Sequence, residues 1–165
     1  PSPQAAMAAI DETAAFLRDP LPTLPKAVVV LGSGLSGAAE RSGEILARLP
    51  YGEIPNFAAS TVPGHAGTLL LGEPVPDFPV AWMQGRFHAY EGYSLHQVVL
   101  PLRAMRRIGV ETLLLTNAAG GLDPAFRPGD LMAIADHLNM TGQNPLTGPN
   151  LDDLGPRFPD LGEPY

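Results

Sequence analysis

Three short apolar runs, each followed by a polar loop that contains glycine, constrain the fold of this chain more than any other feature. The runs and the first residues of their loops are Ala27–Leu31 with Gly32, residues 80–83 with Gln84, and the three leucines within residues 111–116 with Asn117. Continuous apolar runs of this length are typical of strands buried on both faces of a parallel sheet. Ligands of such sheets bind beyond the carboxyl ends of the strands, so we expect the three loops to form one site.

Helix and strand patterns alternate along the rest of the chain. Apolar residues at helical spacing predict a helix over residues 3–18, and capping and glycine signals predict shorter helices over 38–41 and 94–108. Further strands are expected over residues 68–71 and 130–135. We therefore predict a single α/β domain over residues 1–165, with a mixed, largely parallel β-sheet flanked by helices.

Composition and charge exclude several classes of function. The net charge of −7 and the pI near 4.9 argue against a nucleic-acid surface, because phosphate backbones require basic patches. The sequence has no cysteine, which excludes disulfides, and its four histidines lack metal-ligand spacing. We expect no metal site. No apolar run is long enough to span a membrane and the first residues do not resemble a signal peptide, so we expect a cytoplasmic protein.

The highest concentration of chemically functional side chains lies in residues 84–93, directly after the second apolar run. If the chain stays extended, Arg86, His88 and Tyr90 share one face, because side chains alternate along a strand. A cation, an imidazole and a phenol on one surface suit an oxyanion joined to a polyhydroxylated ring. The alternative is a polar surface loop in which Arg86 pairs weakly with Glu91.

The loop at residues 32–37 fits the pattern G-x-G-x-x-G after a strand. Its backbone N–H groups and the Ser33 hydroxyl suit a phosphate. A dinucleotide site would need an acid at the end of the next strand. Glu53 has roughly the right spacing, but its surroundings make a poor strand. We therefore favour a phosphate ion over a dinucleotide, and a purely structural turn is the third interpretation.

Two other loops offer donors to an anion. His65 would reach the ion only if its loop folds over the Ser33 turn, and otherwise it is a surface histidine. In residues 117–121 the small side chains let a ligand approach the backbone, so that the Ala118 N–H becomes a donor. The alternative there is an ordinary turn. His96 and His137 are interpreted as structural.

Taken together, these stretches closely resemble the purine nucleoside phosphorylases of the trimeric, low-molecular-mass kind. The matching motifs are residues 31–35, 62–67, 84–93, 116–122, 128–130, 136–137, 142–146 and 148–150. They occur in the family's order and span most of the chain. The related methylthioadenosine phosphorylases usually differ at the Asn-Ala-Ala-Gly-Gly loop, so they are the less favoured alternative.

The resemblance implies a reaction and a set of roles. The reaction is reversible phosphorolysis of purine (deoxy)ribonucleosides to the free base and (deoxy)ribose 1-phosphate, a step of purine salvage. No cofactor is implied, since inorganic phosphate is a co-substrate, and the implied assembly is a homotrimer. The implied phosphate ligands are Ser33, His65, Arg86, His88 and the backbone of Ala118. His88 is also the implied catalytic residue, and the implied nucleoside ligands are Tyr90, Asn117 and, toward a neighbouring subunit, Phe158.

Members of this family are considerably longer than 165 residues, and the resemblance stops before the segments that bind the purine base. We therefore expect an apparently incomplete nucleoside phosphorylase-like sheet with an exposed edge. Two other functions stay open. One is an inactive fragment, or a domain that binds phosphate or nucleoside without turnover. The other is a dinucleotide-dependent oxidoreductase, which rests only on the glycine pattern.

Overall fold

A mixed sheet of five strands carries the loops that the sequence singles out. The computed structural model describes residues 2–58, 67–163 and 165. The strands are β1 (Ala27–Leu31), β2 (Glu44–Pro50), β3 (Thr68–Val75), β4 (Phe78–Gln84) and β5 (Thr112–Leu115). The helices are α1 (Pro3–Arg18), α2 (Ala38–Ser42) and α3 (Leu95–Arg107), with short 3-10 helices at Tyr51–Glu53, Ala89–Glu91 and Asp152–Leu154.

The strand order is β2-β3-β4-β1-β5, with β1 parallel to both of its neighbours. The β2–β3 and β3–β4 pairs are antiparallel. All five residues of β1 are buried, as expected for a central parallel strand. The predicted mixed α/β sheet flanked by helices is therefore confirmed.

The chain divides into two compact units, Pro1–Ala118 and Ala119–Tyr165. The first unit contains the sheet and the three α-helices. The second consists of turns with the Asp152–Leu154 helix, and nearly all of its described residues are exposed. The single domain over residues 1–165 stays a prediction.

One face of the sheet is covered by α1 and α3. Ser2 caps α1 by accepting a hydrogen bond from the Ala5 N–H at 3.2 Å, and Ser94 with Gln97 forms the expected capping box at the start of α3. Buried side chains of both helices, including Leu17 and Met105, pack on residues of β1, β3 and β4. This apolar layer holds the two helices against the strands whose ends lead into the loops.

Three sequence predictions of secondary structure were incomplete or wrong. No strand was predicted over β2, because its apolar run is only three residues long, Ile45 to Ala47, before Arg48 interrupts it. The strand predicted over 111–116 exists, but its predicted burial is wrong: Leu113, Leu114 and Leu115 are 46%, 55% and 54% exposed. Among the described strands, β5 pairs with β1 alone and lies at the sheet edge.

The strand predicted over residues 130–135 is wrong. These residues are exposed and have no regular secondary structure. Their apolar content resembles a strand, but in the second unit no described strand pairs with them, and a strand needs a partner to satisfy its backbone. None of the helices in the described ranges combines the length and apolar character that crossing a bilayer requires.

Tyr51 connects the core to the end of β4. Its side chain is 1% exposed, and its hydroxyl donates a hydrogen bond to the Gly85 carbonyl at 2.8 Å. Its ring makes edge contacts with Phe57 and Phe87, at centroid distances of 5.3 and 5.5 Å. Burial raises the pKa of the Tyr51 phenol above its ordinary value.

We predict that Tyr51→Phe lowers the free energy of unfolding by about 1–3 kcal/mol at pH 7, because the buried Gly85 carbonyl loses its donor. In the unfolded chain Tyr51 ionises near pH 10, whereas in the folded protein it stays neutral. Its stabilising contribution is therefore present below about pH 10 and lost as the pH rises above it. Urea denaturation should show the difference between the two proteins shrinking in that range.

Tyr90→Phe is the matched control, because Tyr90 is 75% exposed. It should change the unfolding free energy by no more than about 0.5 kcal/mol. Equal losses for the two variants would contradict the structural role of the Tyr51 hydroxyl.

Candidate functional site

The carboxyl ends of β4, β1 and β5 lie side by side at one edge of the sheet. Leu31 pairs with Gln84, and Val30 pairs with Leu115. The register therefore places the loops that follow the three strands at the same level. The three apolar runs singled out in the sequence end where they were expected to meet.

Thr116 joins the loop after β1 to the loop after β5. The Gly32 N–H donates to the Thr116 hydroxyl oxygen at 2.8 Å, and that hydroxyl donates to the Val30 carbonyl at 2.9 Å. A Cβ added at Gly32 would lie 2.7 Å from the Thr116 carbonyl oxygen and 2.9 Å from the Asn117 Cα. Only glycine permits this approach of the two backbones.

Arg86 joins the loop after β4 to the same residue. The partly buried guanidinium donates from one Nη to the Thr116 carbonyl oxygen at 2.9 Å. A guanidinium has five N–H donors, so this bond leaves most of them for another acceptor. Held in this way, Arg86 suits a bidentate contact with an oxyanion.

Gln84 connects the glycine-rich loop to the end of β4 through hydrogen bonds. This role was not predicted from the sequence. It is 6% exposed, and its amide nitrogen donates to the Ser36 carbonyl at 2.6 Å. The same nitrogen lies 3.1 and 3.2 Å from the two carboxylate oxygens of Glu40. A backbone hydrogen bond at Glu40 lowers the pKa of its carboxyl, and the bond from Gln84 acts in the same direction. A polar residue in the last position of a buried strand was the available signal.

The expected extended face of Arg86, His88 and Tyr90 is only partly correct. The backbone is extended at His88, but the Ala89–Glu91 helix follows and includes Tyr90. The His88 N–H donates to a Glu91 carboxylate oxygen at 2.9 Å, which supports this turn. The rings of His88 and Tyr90 nevertheless stack, with centroids 4.6 Å apart and planes at 16°. The turn therefore brings the imidazole and the phenol together by a different route.

Other predicted site residues occupy exposed loops. Ser33 lies in the loop after β1, and Asn117 and Ala118 follow β5. The Asn117 side-chain nitrogen lies 3.3 Å from the Ala118 carbonyl oxygen, which fits a weak donated bond. The bonds through Thr116 bring their loops together, while a common anion bound by Ser33, Arg86 and Ala118 stays a prediction.

Two predicted residues cannot be placed in this cluster. His65 lies outside the described residues, although Gly67, two positions later, donates to the Gln84 carbonyl at 3.1 Å. Phe158 belongs to the second unit, where it is 88% exposed and its ring lies 5.9 Å from the Arg157 guanidinium carbon. Their roles stay predictions.

In the described ranges, no group of three or more histidine, aspartate or glutamate side chains could hold a metal ion. The expectation that the protein needs no metal or cofactor stays a prediction. Anion binding by Arg86 and loop backbone is the chemistry for which these residues are suited.

These features define an α/β protein with a candidate ligand site at the carboxyl edge of a partly parallel sheet. The chain belongs to the phosphorylase superfamily, since the model of that family matches residues 26–165.

Individual relatives agree with the family match. The chain is 51% identical over 157 residues to purine nucleoside phosphorylase 1 of Geobacillus stearothermophilus, covering 95% of this chain and 57% of that protein. It is 46% identical over 157 residues to the purine nucleoside phosphorylase of Bos taurus, covering 93% and 54%. The resemblance found in the motifs is confirmed. The chain spans little more than half the length of these curated relatives.

Solved structures match the fold as well. One is isoform 2 of purine nucleoside phosphorylase from Schistosoma mansoni, in complex with cytosine and ribose-1-phosphate. It has a TM-score of 0.82 and 42% identity, covering 93% of this chain and 54% of that chain. A second is the purine nucleoside phosphorylase of the same organism in a complex with BCX-34, with a TM-score of 0.83 and 36% identity, covering 96% and 59%.

We predict that Gln84→Met lowers the unfolding free energy by about 1–3 kcal/mol, because the Ser36 carbonyl loses its donor. Gln84→Glu should cost more at pH 7, since a carboxylate would then face the Glu40 carboxylate. Hydrogen exchange of the amides in residues 32–37 should accelerate in both variants.

Gln4→Met serves as the control, because Gln4 is exposed on α1. Its unfolding free energy should stay within about 0.5 kcal/mol of the parent value. Unchanged exchange in residues 32–37 of the Gln84 variants would show that the amide does not hold this loop.

Proposed function

We propose that this chain supplies the phosphate- and sugar-binding part of an enzyme for reversible phosphorolysis of purine (deoxy)ribonucleosides. Phosphate attacks the anomeric carbon, the N-glycosidic bond breaks, and the products are the free purine and (deoxy)ribose 1-phosphate. The proposal rests on the relatives named above and on one observation in this chain. That observation is the joining of three strand-end loops through Thr116, with Arg86 among them.

The chemistry requires a tightly held anion beneath the sugar. Breaking an N-glycosidic bond develops positive charge on the ribose, as in glycoside hydrolysis. A dianionic phosphate held there stabilises this charge electrostatically and is also the nucleophile. Holding it in line with the breaking bond removes most of the entropic cost of the encounter. The donors that hold it must not react, which suits guanidinium, hydroxyl and backbone N–H groups.

The proposed roles are those that the resemblance to the family implies. Ser33, His65, Arg86 and the Ala118 N–H hold the phosphate. His88 contacts both phosphate and sugar and is the proposed catalytic residue. The stacking of His88 on Tyr90 gives the sugar a planar wall beside the anion.

The remaining contacts and the setting of the enzyme are also proposals. Asn117 contacts the nucleoside, and the exposed Phe158 reaches the sugar site of a neighbouring subunit in a homotrimer. The proposed partners are a purine nucleoside and phosphate, without metal or organic cofactor. The proposed setting is purine salvage in the cytoplasm.

Three further functions are less well supported. A domain that binds phosphate without turnover would use the same donors around Arg86 but would release no free base. A methylthioadenosine phosphorylase-like enzyme is disfavoured by the Asn-Ala-Ala-Gly-Gly loop after β5. A dinucleotide-dependent oxidoreductase is disfavoured by the family match, which covers the glycine-rich loop itself.

Phosphorolysis predicts that hypoxanthine forms from inosine only when phosphate is added, with ribose 1-phosphate in equal amount. Chromatography of the reaction mixture measures both products. Hypoxanthine release that is independent of phosphate would contradict the mechanism. Saturable phosphate binding with no turnover would favour the binding-domain alternative.

Arg86→Lys should weaken phosphate binding at least about tenfold, because an ammonium cannot make the bidentate contact of a guanidinium. Calorimetric titration with phosphate measures this loss, and urea denaturation of the same sample measures folding. We expect the loss in binding to exceed the loss in stability, since lysine can still donate to the Thr116 carbonyl.

Arg48→Lys is the matched control, because Arg48 is exposed on β2 and pairs with Glu40 at 3.3 Å. Its phosphate affinity should stay within about twofold of the parent. Comparable losses in affinity for both variants would mean that Arg86 contributes only general positive charge.

A further inference from the structure

A cavity of about 550 Å³ lies within the first unit, between α1 and α3 and beside residues 56–58. None of the described residues assigned to phosphate or sugar lines it. Its size falls in the range of small-molecule sites. The proposed phosphorolysis makes no use of this cavity.

The walls of the cavity are largely apolar. One side is formed by the small side chains of Ala5, Ala6 and Ala9 on α1, which leave space along the helix surface. Phe57 and Leu100 contribute larger apolar surfaces. An occupant of this space therefore needs an apolar body of modest size.

Arg103 is the one charged residue among the described residues that line the cavity. The Arg103 side chain is partly buried. One of its Nη atoms lies 3.4 Å from the His96 Nδ1, which is a long distance for a hydrogen bond. Burial lowers the pKa of the Arg103 guanidinium. The guanidinium therefore retains several donors without an anionic acceptor.

Among the residues that the structure describes, no carboxylate forms an ion pair with Arg103. Within the described residues no aspartate or glutamate oxygen lies within 4.0 Å of the Arg103 nitrogens. The remaining residues, 1, 59–66 and 164, include neither aspartate nor glutamate. In a chain with a net charge of −7, Arg103 thus places a positive charge without a paired carboxylate beside an apolar cavity.

We propose that this cavity binds a small carboxylate, whose carboxyl group pairs with Arg103 and whose apolar body contacts the alanines of α1. A planar carboxylate matches the guanidinium fork and supplies the missing acceptors. Inorganic phosphate would satisfy the charge but leave the apolar walls without a partner. The ligand class is thus an aryl or short-chain carboxylic acid, distinct from both substrates of the proposed phosphorolysis.

The test uses 4-phenylbutyrate as the probe and 4-phenylbutyramide as its neutral counterpart, with the unmodified chain and calorimetric or NMR titration. We expect saturable binding of the acid in the millimolar range or tighter and binding of the amide at least about tenfold weaker. This comparison needs no variant, so it does not depend on the folding of a mutant.

Two variants extend the test. Arg103→Gln should weaken the acid at least about tenfold and leave the amide nearly unchanged, whereas Arg106→Gln, on the same helix but outside the cavity lining, should leave both unchanged. Equal affinity for acid and amide, undiminished binding by Arg103→Gln, or no saturable binding of the acid would each overturn the proposal. Phosphate binding measured on the same samples separates this outcome from the fate of the proposed phosphorolysis site.

Discussion

The hydrogen bonds of Thr116 are the interactions on which the arrangement of the site depends. Its hydroxyl accepts from the Gly32 N–H and donates to the Val30 carbonyl, and its own carbonyl accepts from Arg86. Neutral hydrogen bonds each contribute about 0.5–1.5 kcal/mol net, and bonds to a charged donor about 1.5–3 kcal/mol. The two hydroxyl bonds join positions 84 and 86 residues apart in sequence, and the Arg86 bond joins positions 30 apart. A rigid set of donors then needs little reorganisation when it binds an anion.

A second layer of contacts supports this arrangement from the side of β4. Gln84 holds the loop after β1, and Tyr51 holds the Gly85 carbonyl from within the apolar core. Gly85 itself has a φ of 104°, a conformation that favours glycine, and it turns the chain just before Arg86. Through Tyr51, the buried core therefore helps to set the backbone direction at Gly85, directly before Arg86.

Sequence patterns predicted the parts of the fold that depend on local signals. Helix α1, strand β1 and helix α3 follow from apolar spacing, capping residues and a continuous apolar run, and the structure agrees closely with these predictions. Strand β2 was missed because its apolar run of three residues is too short to indicate a strand. The exposure of β5 and the irregular residues 130–135 could not be predicted, since burial and pairing depend on neighbours that a local pattern does not contain.

The candidate site also contains some residues that local sequence signals predict and others that depend on distant partners. Arg86 and His88 were found because charged and titratable side chains after a strand are conspicuous, whereas Gln84 and Thr116 act through distant partners that only the fold reveals. The central claim is that three loops bind one anion, and an amide NMR titration with inorganic phosphate tests it most directly. The account predicts that the Ser33 and Ala118 backbone signals and the Arg86 Nε–H signal shift together with a single dissociation constant. Shifts confined to one of the three loops, or different constants for different loops, would contradict it.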